Sequence, residues 1–357
     1  MRSETSLKAG DWVEVLRHDE ILRTLDANGC LESMPFMPEM LRYTSQRFRV
    51  SKRAHRTCDT IDYVGGRHLK HAVHLEDLRC DGSAHGGCEA LCLLFWKEAW
   101  LKKVDGPGER DARAKPLEVA VAADSVFVRG TRKAGEPVDT PNPTYACQAT
   151  ALLDATVPLR RSDLEPYLED LASGNVGIWQ MTKALAFVAY SFLVGGRYGL
   201  GTPLIALYDG FQKLIDGTPY PERRGKVPKG AKTPSRRLDL KPGEWVRVRP
   251  LPEILETVDE ALRNRGMGWH AEMVPMTGRT FRVAARLEKI VNEKTGKMIH
   301  FKSDVVILED GLCRARYINN CRRFCPRAVY QYFREIWLER VPDSAGAGAG
   351  DQRAASS

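Results

Sequence analysis

The sequence predicts an α+β protein in which two related β-rich modules, each closed by a C-terminal helix, flank a mainly helical middle region. Three observations lead to this prediction: a repeat at a constant offset, a cysteine spacing present in both copies, and an apolar segment between them. The chain has 357 residues, of which 43% are hydrophobic and 28% charged. This composition is typical of globular proteins and excludes a fibrous or wholly disordered chain.

The repeat relates residues 10–26, GDWVEVLRHDEILRTLD, to residues 243–259, GEWVRVRPLPEILETVD, at an offset of 233. The same offset superimposes Cys80, Cys88 and Cys92 on Cys313, Cys321 and Cys325. After the last cysteine the offset becomes 237, and Trp100 then corresponds to Trp337. We interpret the four extra residues as one added turn of the terminal helix, since an α-helix has 3.6 residues per turn.

Each module combines strand and helix patterns. Residues 12–15 alternate like a strand, and residues 20–26 form a short amphipathic helix. In the second copy, residues 281–291 and 298–308 are predicted as a hairpin joined by a polar turn. The aromatic residues of 95–100 have helical spacing, so they are predicted as the terminal helix. The order fits a small curled sheet closed by a helix, and an SH3-like barrel is the nearest common shape.

Composition also sets the domain boundaries. They are module A at 1–104, a connector at 105–143, the helical middle region at 144–220, a basic Pro/Gly-rich linker at 221–242, module B at 243–341 and a disordered tail at 342–357. A helix is predicted from Ile178 to Val194, and its apolar residues surround it, which predicts burial. The most apolar part is shorter than the about 20 residues that a membrane span needs, so no span is predicted.

The nine cysteines are an odd number in a long chain, which does not indicate a secreted disulfide framework. Residues 1–12 have no apolar core of the kind found in signal peptides. We therefore expect a cytoplasmic protein with reduced thiols.

The pattern C-x7-C-x3-C occurs in both copies and suggests metal binding, because thiolates are strong ligands for zinc and for iron–sulfur clusters. The predicted ligands are Cys80, Cys88, Cys92, Cys313, Cys321 and Cys325. Cys58 or Cys147 is a further candidate in the first copy, as are His74 and His85. Zinc is favoured over an iron–sulfur cluster on prevalence. The spacing matches no standard zinc ribbon, so buried free cysteines are the competing interpretation.

The segment Cys80-Asp81-Gly82-Ser83-Ala84-His85 resembles the CDGSH iron–sulfur motif, in which three cysteines and one histidine hold the cluster. The match covers six residues, contains one extra alanine before His85, and lacks the upstream C-x-C pair of that family. The second copy has no equivalent. We therefore do not assign the chain to this family.

These features predict a metalloprotein with two cysteine-ligated sites and no assigned chemistry. One alternative is a nucleic-acid-binding protein, because the net charge is +8 and residues 43–70 interleave basic and aromatic side chains. Another is an iron–sulfur or zinc enzyme, or an electron carrier, in a biosynthetic pathway. Phosphate-binding loops, nucleophile elbows and zincin motifs are absent from the sequence.

Overall fold

We analysed a computed structural model of the chain. It describes residues 6–60, 65–107, 125–133, 135–137, 140–160, 162–195, 201–318 and 323–342. Most of the connector, Cys321 and the predicted disordered tail from residue 343 onward lie outside the described residues.

The chain divides into two compact units. Unit 1 contains residues 1–180, 289–300 and 319–329, and unit 2 contains residues 181–288, 301–318 and 330–357. Unit 1 therefore includes two segments that the repeat assigns to module B. Each unit has a hydrophobic core of its own.

Sheet A is the five-stranded antiparallel sheet of unit 1. Its strands, in spatial order, are Trp96–Lys97, Ala72–Leu75, Arg47–Arg53, Trp12–Val15 and Leu101–Val104. The last strand along the chain, Leu101–Val104, pairs with the first strand along the chain, Trp12–Val15, so that Trp12 lies opposite Val104. A register shift between Val50 and Lys52 bends Arg47–Arg53, the long strand at the centre of the sheet.

Sheet B is the five-stranded antiparallel sheet of unit 2, and its strands follow each other in the same order. They are Phe333–Arg334, Val305–Leu308, Thr280–Arg286, Trp245–Val248 and Leu338–Arg340. Its register shift lies between Val283 and Ala285, which the 233-residue offset relates to Val50 and Lys52. The fold is thus mixed α/β with small antiparallel sheets. Among the described strands neither sheet closes into a barrel, so the SH3-like shape stays a prediction.

The remaining strands form smaller sheets. One has three strands, Val157–Pro158, Gly66–His68 and Arg56–Cys58, and the others are the pairs Cys30–Leu31 with Met34–Pro35, Arg263–Asn264 with Met267–Gly268, and Lys289–Val291 with Met298–His300. The last pair confirms the outer part of the predicted hairpin. The carboxamide of Asn292 accepts the amides of Lys294 and Thr295 at its turn.

The α-helices are α1 (His18–Leu22), α2 (Val126–Arg129), α3 (Leu152–Ala155), α4 (Glu165–Ala172), α5 (Ile178–Gly195), α6 (Gly201–Leu214) and α7 (Leu251–Leu255). The described part of the chain also contains 3-10 helices at Pro38–Tyr43, Glu98–Trp100, Ala271–Met276 and Glu335–Trp337. The predicted terminal helix of each module is wrong, because residues 96–104 and 333–340 form a short strand, a 3-10 turn and a second strand. The four extra residues consequently lie in a loop and do not lengthen a helix.

The helical middle region also differs from its prediction. Helix α5 has the predicted bounds to within one residue, but it is not buried: Trp179, Leu185 and Phe192 are 68%, 58% and 77% exposed. Residues 221–242, predicted as a linker, hydrogen-bond within unit 2, where Lys226 N donates to Leu255 O at 2.8 Å. In the connector, the described residues Val126–Arg129 form a short helix.

A buried arginine–glutamate pair stabilises the corner before the last strand of each sheet. In sheet B, Arg286 Nη1 lies 2.9 Å from Glu335 Oε1, and the Glu335 side chain is fully buried. Glu335 also accepts the backbone amides of residues 238, 239 and 240 at 2.5, 3.0 and 2.8 Å. In sheet A, Arg53 and Glu98 form the equivalent pair at 2.5 Å, and Leu7 N donates to Glu98 at 3.1 Å.

We expect Glu335→Gln to destabilise the full chain by about 2–3 kcal/mol, because Arg286 and three amides lose a buried carboxylate. The control is Glu339→Gln, which removes the half-exposed partner of Arg247 and should cost less than about 1 kcal/mol. Chemical denaturation of both variants checks this. Equal losses would contradict a special role for the Glu335 pair.

The His74 side chain gives the stability a defined pH dependence. Burial lowers the pKa of His74 to about 4, and Nδ1 lies 2.9 Å from Leu94 O. The folded chain therefore binds fewer protons than the unfolded chain between about pH 6.5 and 4, so stability falls as the pH falls through this window. Between pH 7 and pH 5, we expect the free energy of unfolding to fall by about 2 kcal/mol less in His74→Gln than in the wild type. Parallel pH profiles of the unfolding free energy would contradict this.

Candidate metal centre

The first cysteine triplet lies in the loop of residues 76–95, which connects two adjacent strands of sheet A. Arg79 and Leu93 form an isolated antiparallel bridge at the base of this loop. Next to the bridge, Cys80 N donates to Cys92 O at 2.8 Å. The sheet therefore places the first and last cysteines of the triplet on adjacent backbone segments.

A glycine turn folds the chain back over Cys80. Gly82 has φ +72°, and its carbonyl accepts the amides of His85 at 3.1 Å and Gly87 at 2.9 Å. A Cβ at position 82 would lie 2.0 Å from Cys88 O, so only glycine fits. The turn brings His85 back toward Cys80, five residues earlier in the chain.

Three donor atoms converge at this point. Cys80 Sγ lies 3.3 Å from Glu39 Oε1 and 3.3 Å from His85 Nε2. The three ligand atoms lie within 4.8 Å of one another. Glu39 comes from the 3-10 helix Pro38–Tyr43, so the site joins that helix to the cysteine loop. All three residues are less than 10% exposed.

Burial works against the charged form of each group. It raises the pKa of the Glu39 carboxyl and of the Cys80 thiol, and the Glu39 carboxylate raises the Cys80 value further. Burial also lowers the pKa of His85 to about 4. A cation would reverse these preferences for the thiol and the carboxyl, because it stabilises thiolate and carboxylate.

Two atoms of this cluster are buried without a hydrogen-bond partner among the described residues: Glu39 Oε2 and His85 Nδ1. The second copy provides a comparison. There Glu272 corresponds to Glu39, and its Oε1 accepts the amides of Tyr317 and Ile318. The Glu39 carboxylate contacts the Cys80 thiol through Oε1 instead, and its Oε2 has no hydrogen-bond partner among the described residues.

The other cysteines of the first copy lie in the same buried region. Cys92 and Cys147 contribute to raising the pKa of Cys80, and burial with nearby thiols raises the pKa of Cys92 to about 12 and of Cys147 to about 11. Cys88 Sγ accepts Val291 N at 3.2 Å. These thiols therefore influence one another's pKa values. Of the cysteines in this copy, Cys80 is the one that belongs to the donor group with Glu39 and His85.

Cys58 lies near a buried cation. The guanidinium of Arg327 donates to Thr60 Oγ1 at 2.9 Å and to Glu293 Oε1 at 2.8 Å. Burial acts to lower the pKa of Arg327, but Glu293, Cys58 and Cys92 raise it well above its usual value. Cys58 is thus placed beside Arg327 and outside the donor group.

The second triplet is distributed differently. Cys313 belongs to unit 2 and Cys325 to unit 1, while Cys321 lies outside the described residues. The offset places Ile318 where the first copy has His85. A metal site on this triplet remains a prediction from the sequence. None of the eight described cysteines forms a disulfide with another described residue.

Glu39 is the site residue that the sequence interpretation did not identify. A signal for it exists, because the repeat retains an acid at 39 and 272 beside buried apolar residues such as Met40 and Met273. His85 was among the candidates for a fourth ligand, and the structure places it next to Cys80.

No protein-family model matches the chain, and no curated protein matches it in sequence.

The turn at Gly82 makes a prediction about loop geometry. We expect Gly82→Ala to separate His85 from Cys80, because the new Cβ would overlap the Cys88 carbonyl. Gly230→Ala is the control, since Gly230 has φ +84° but no atom within 4 Å of its Cβ position. It should cost only about 1 kcal/mol. Thiol-alkylation rates on the native protein check this: Cys80 should react faster in the first variant only, and unchanged protection there would contradict it.

Proposed function

We propose that the chain is a metal-binding protein whose first site consists of Cys80, His85 and Glu39 and binds zinc. The observation that supports it most directly is the convergence of a thiol, an imidazole and a carboxylate within 4.8 Å. Zinc accepts sulfur, nitrogen and oxygen ligands in tetrahedral sites, at about 2.0–2.3 Å. Three protein ligands leave one position for a water molecule or a further thiol.

The donor set favours zinc over an iron–sulfur cluster. Protein ligands of such clusters are mainly thiolates, usually four or two plus two histidines, whereas the tight group here contains one thiol beside a carboxylate. Carboxylate oxygen suits zinc well and is uncommon in cluster binding. Recruitment of Cys92 and Cys147 would favour a cluster, and the metal analysis below tests that case.

A cysteine nucleophile is the competing use of the same side chains, because an imidazole next to a thiol is typical of cysteine hydrolases. Such a thiol must be partly exposed and must have a depressed pKa. Cys80 is 8% exposed, and burial together with the adjacent Glu39 raises its pKa. We therefore favour metal binding over nucleophilic catalysis.

Cys92 and Cys147 are the proposed sources of a fourth ligand. The Cys92 carbonyl is hydrogen-bonded to the Cys80 amide, and both thiols influence the pKa of Cys80. We propose that one of these thiols completes the tetrahedral site by rotating about its Cα–Cβ bond. We infer a reducing compartment for the protein on the same basis, since oxidation of these thiols would remove the ligands.

The nucleic-acid-binding alternative receives less support. Basic side chains of residues 43–70 have intramolecular partners: Arg47 pairs with Glu14, Arg53 with Glu98 and Glu169, and Arg56 with Asp170. Arginines that are already paired with carboxylates are less able to neutralise phosphates and so to release the counterions of a nucleic acid.

We also infer that the two sheets arose by duplication of one module. The sheets share strand order, and the 233-residue offset relates their register shifts and the arginines of their Arg–Glu pairs, while the 237-residue offset relates the glutamates. In each, the last strand follows a 3-10 helix and returns to the first, which suits a bent, SH3-like sheet. Comparison of both units in an experimental structure would test this.

The metal proposal predicts about one zinc per chain in anaerobically purified protein. Cys80→Ser and His85→Gln should each reduce zinc content to less than half of the wild-type value, because each removes one of three close donors. The measurements are elemental analysis and X-ray absorption, where scattering at about 2.3 Å counts sulfur ligands.

The matched control is Cys30→Ser, because Cys30 lies outside the donor group, with its thiol 3.6 Å from Asn28 O. It should leave the zinc content unchanged. Zinc-free wild-type protein with fully titratable thiols would reject the proposal. Iron and sulfide in place of zinc would replace the zinc version with a cluster.

A further inference from the structure

Helices α5 and α6 form an antiparallel hairpin in unit 2, from residue 181 onward. The rings of Phe187 and Tyr190 lie 5.9 and 5.5 Å from that of Tyr208, and Tyr190 Oη donates to Leu204 O at 2.5 Å. The later residue of α5 thus contacts the earlier residue of α6, as antiparallel helices require. Tyr220 packs against the same rings. One side of the hairpin is therefore anchored on an aromatic cluster.

The hairpin also carries large apolar side chains that are exposed. Seven large side chains are between 55% and 85% exposed, and we call this set the hairpin face: Leu185, Phe192, Leu193, Leu207, Phe211, Leu214 and Ile215. Their combined exposed area is roughly 800 Å², above the ~300–600 Å² of the largest apolar patch on a typical monomer. It is comparable with the ~800 Å² that each partner contributes to a standard interface.

The spacing of these residues suits a partner helix. On α6, Leu207, Phe211 and Leu214 follow each other at intervals of four and three, the spacing of a coiled-coil seam. On α5, Leu185 and Phe192 are seven residues apart. Small exposed residues lie between the large ones: Ala186 and Ala189 on α5, and Ala206 and Gly210 on α6. Large side chains of one hairpin would therefore find space beside the small residues of an identical hairpin.

A bilayer is a poorer occupant. Ile178–Gly195 is the one described helix that is long and apolar enough to cross a membrane by length and composition. However, a single crossing would place residues before and after α5 on opposite sides, while unit 1 contains both: Val291 N donates to Cys88 Sγ at 3.2 Å. Helix α6 has 14 residues and is too short for a second crossing, which needs about 20.

Binding in the plane of the membrane surface is also disfavoured. Helices that lie there need a strongly charged face opposite the apolar one. Helix α5 has a single charged residue, Lys183, and α6 has two, Lys213 and Asp209, the second of which pairs with Arg223. Neither helix has the continuous basic face that anionic headgroups would attract.

We propose that the hairpin face binds the same face of a second copy of this chain, so that two hairpins form a four-helix bundle and the protein is a homodimer. A two-fold interface requires a self-complementary surface, and two antiparallel helices with alternating large and small residues meet this requirement. Zinc binding does not enter this proposal, since the Cys80 site lies in unit 1.

The test is sedimentation equilibrium and light scattering of the full-length protein. We expect a dimer at micromolar concentration, and a dissociation constant at least about thirty-fold higher for Phe211→Glu and for Phe192→Glu. Both side chains are more than half exposed in the single chain, so the far-ultraviolet circular dichroism should not change. Leu168→Glu on α4, where Leu168 is 66% exposed, is the matched control and should dimerise normally.

Three results would overturn the proposal. The first is a wild-type protein that is monomeric at about 100 µM, a concentration well above the dissociation constant of a functional dimer. The second is a dimer that both glutamate variants leave intact. The third is a monomeric protein that binds anionic phosphatidylserine vesicles through this face. In the last case, loss of vesicle binding in Phe211→Glu would assign the hairpin face to lipid.

Discussion

The buried arginine–glutamate pair is the interaction on which each sheet depends. In both units the arginine ends the long bent strand, and the glutamate begins the 3-10 turn before the last strand. The glutamate also accepts the amide of Leu7 or Leu240, ahead of the first strand. One carboxylate therefore connects three separate parts of the chain. Hydrogen bonds to a carboxylate are stronger than those between neutral groups, so this one side chain stabilises all three parts.

With the sheet corner stabilised in this way, the loop between the third and fourth strands can carry a site without holding the fold together. The two copies illustrate this. In the first, Glu39 contacts Cys80, and His85 folds back over it. In the second, Glu272 accepts backbone amides, and Ile318 replaces the histidine. The same acid thus stabilises a loop in one copy and belongs to a donor cluster in the other.

Unit 1 is built from distant parts of the chain. The hairpin tip at residues 289–300 contacts the cysteine loop, where Glu89 N donates to Lys289 O at 3.1 Å and Lys289 N donates to Glu89 Oε2 at 3.0 Å. Arg327 reaches Thr60 and Glu293 in the same unit. These contacts help to exclude water from the thiols, and this desolvation is the main cause of their raised pKa values. Residues 289–300 and Arg327 therefore contribute to the environment of the cysteine loop.

The sequence by itself determined the strand at Trp12–Val15, the outer hairpin and the cysteine loop, because periodicity and turn residues act over short distances. It misassigned residues 95–100, since Trp96 and Trp100 have helical spacing, but Trp96 lies on a strand and Trp100 ends the 3-10 turn that follows it. Only the tertiary structure decided that Glu39 meets Cys80, that residues 289–300 join unit 1, and that α5 is exposed. The physical reason for the first two is that such contacts join residues tens to hundreds of positions apart. For α5, the apolar pattern of a helix does not specify whether another part of the protein packs against it.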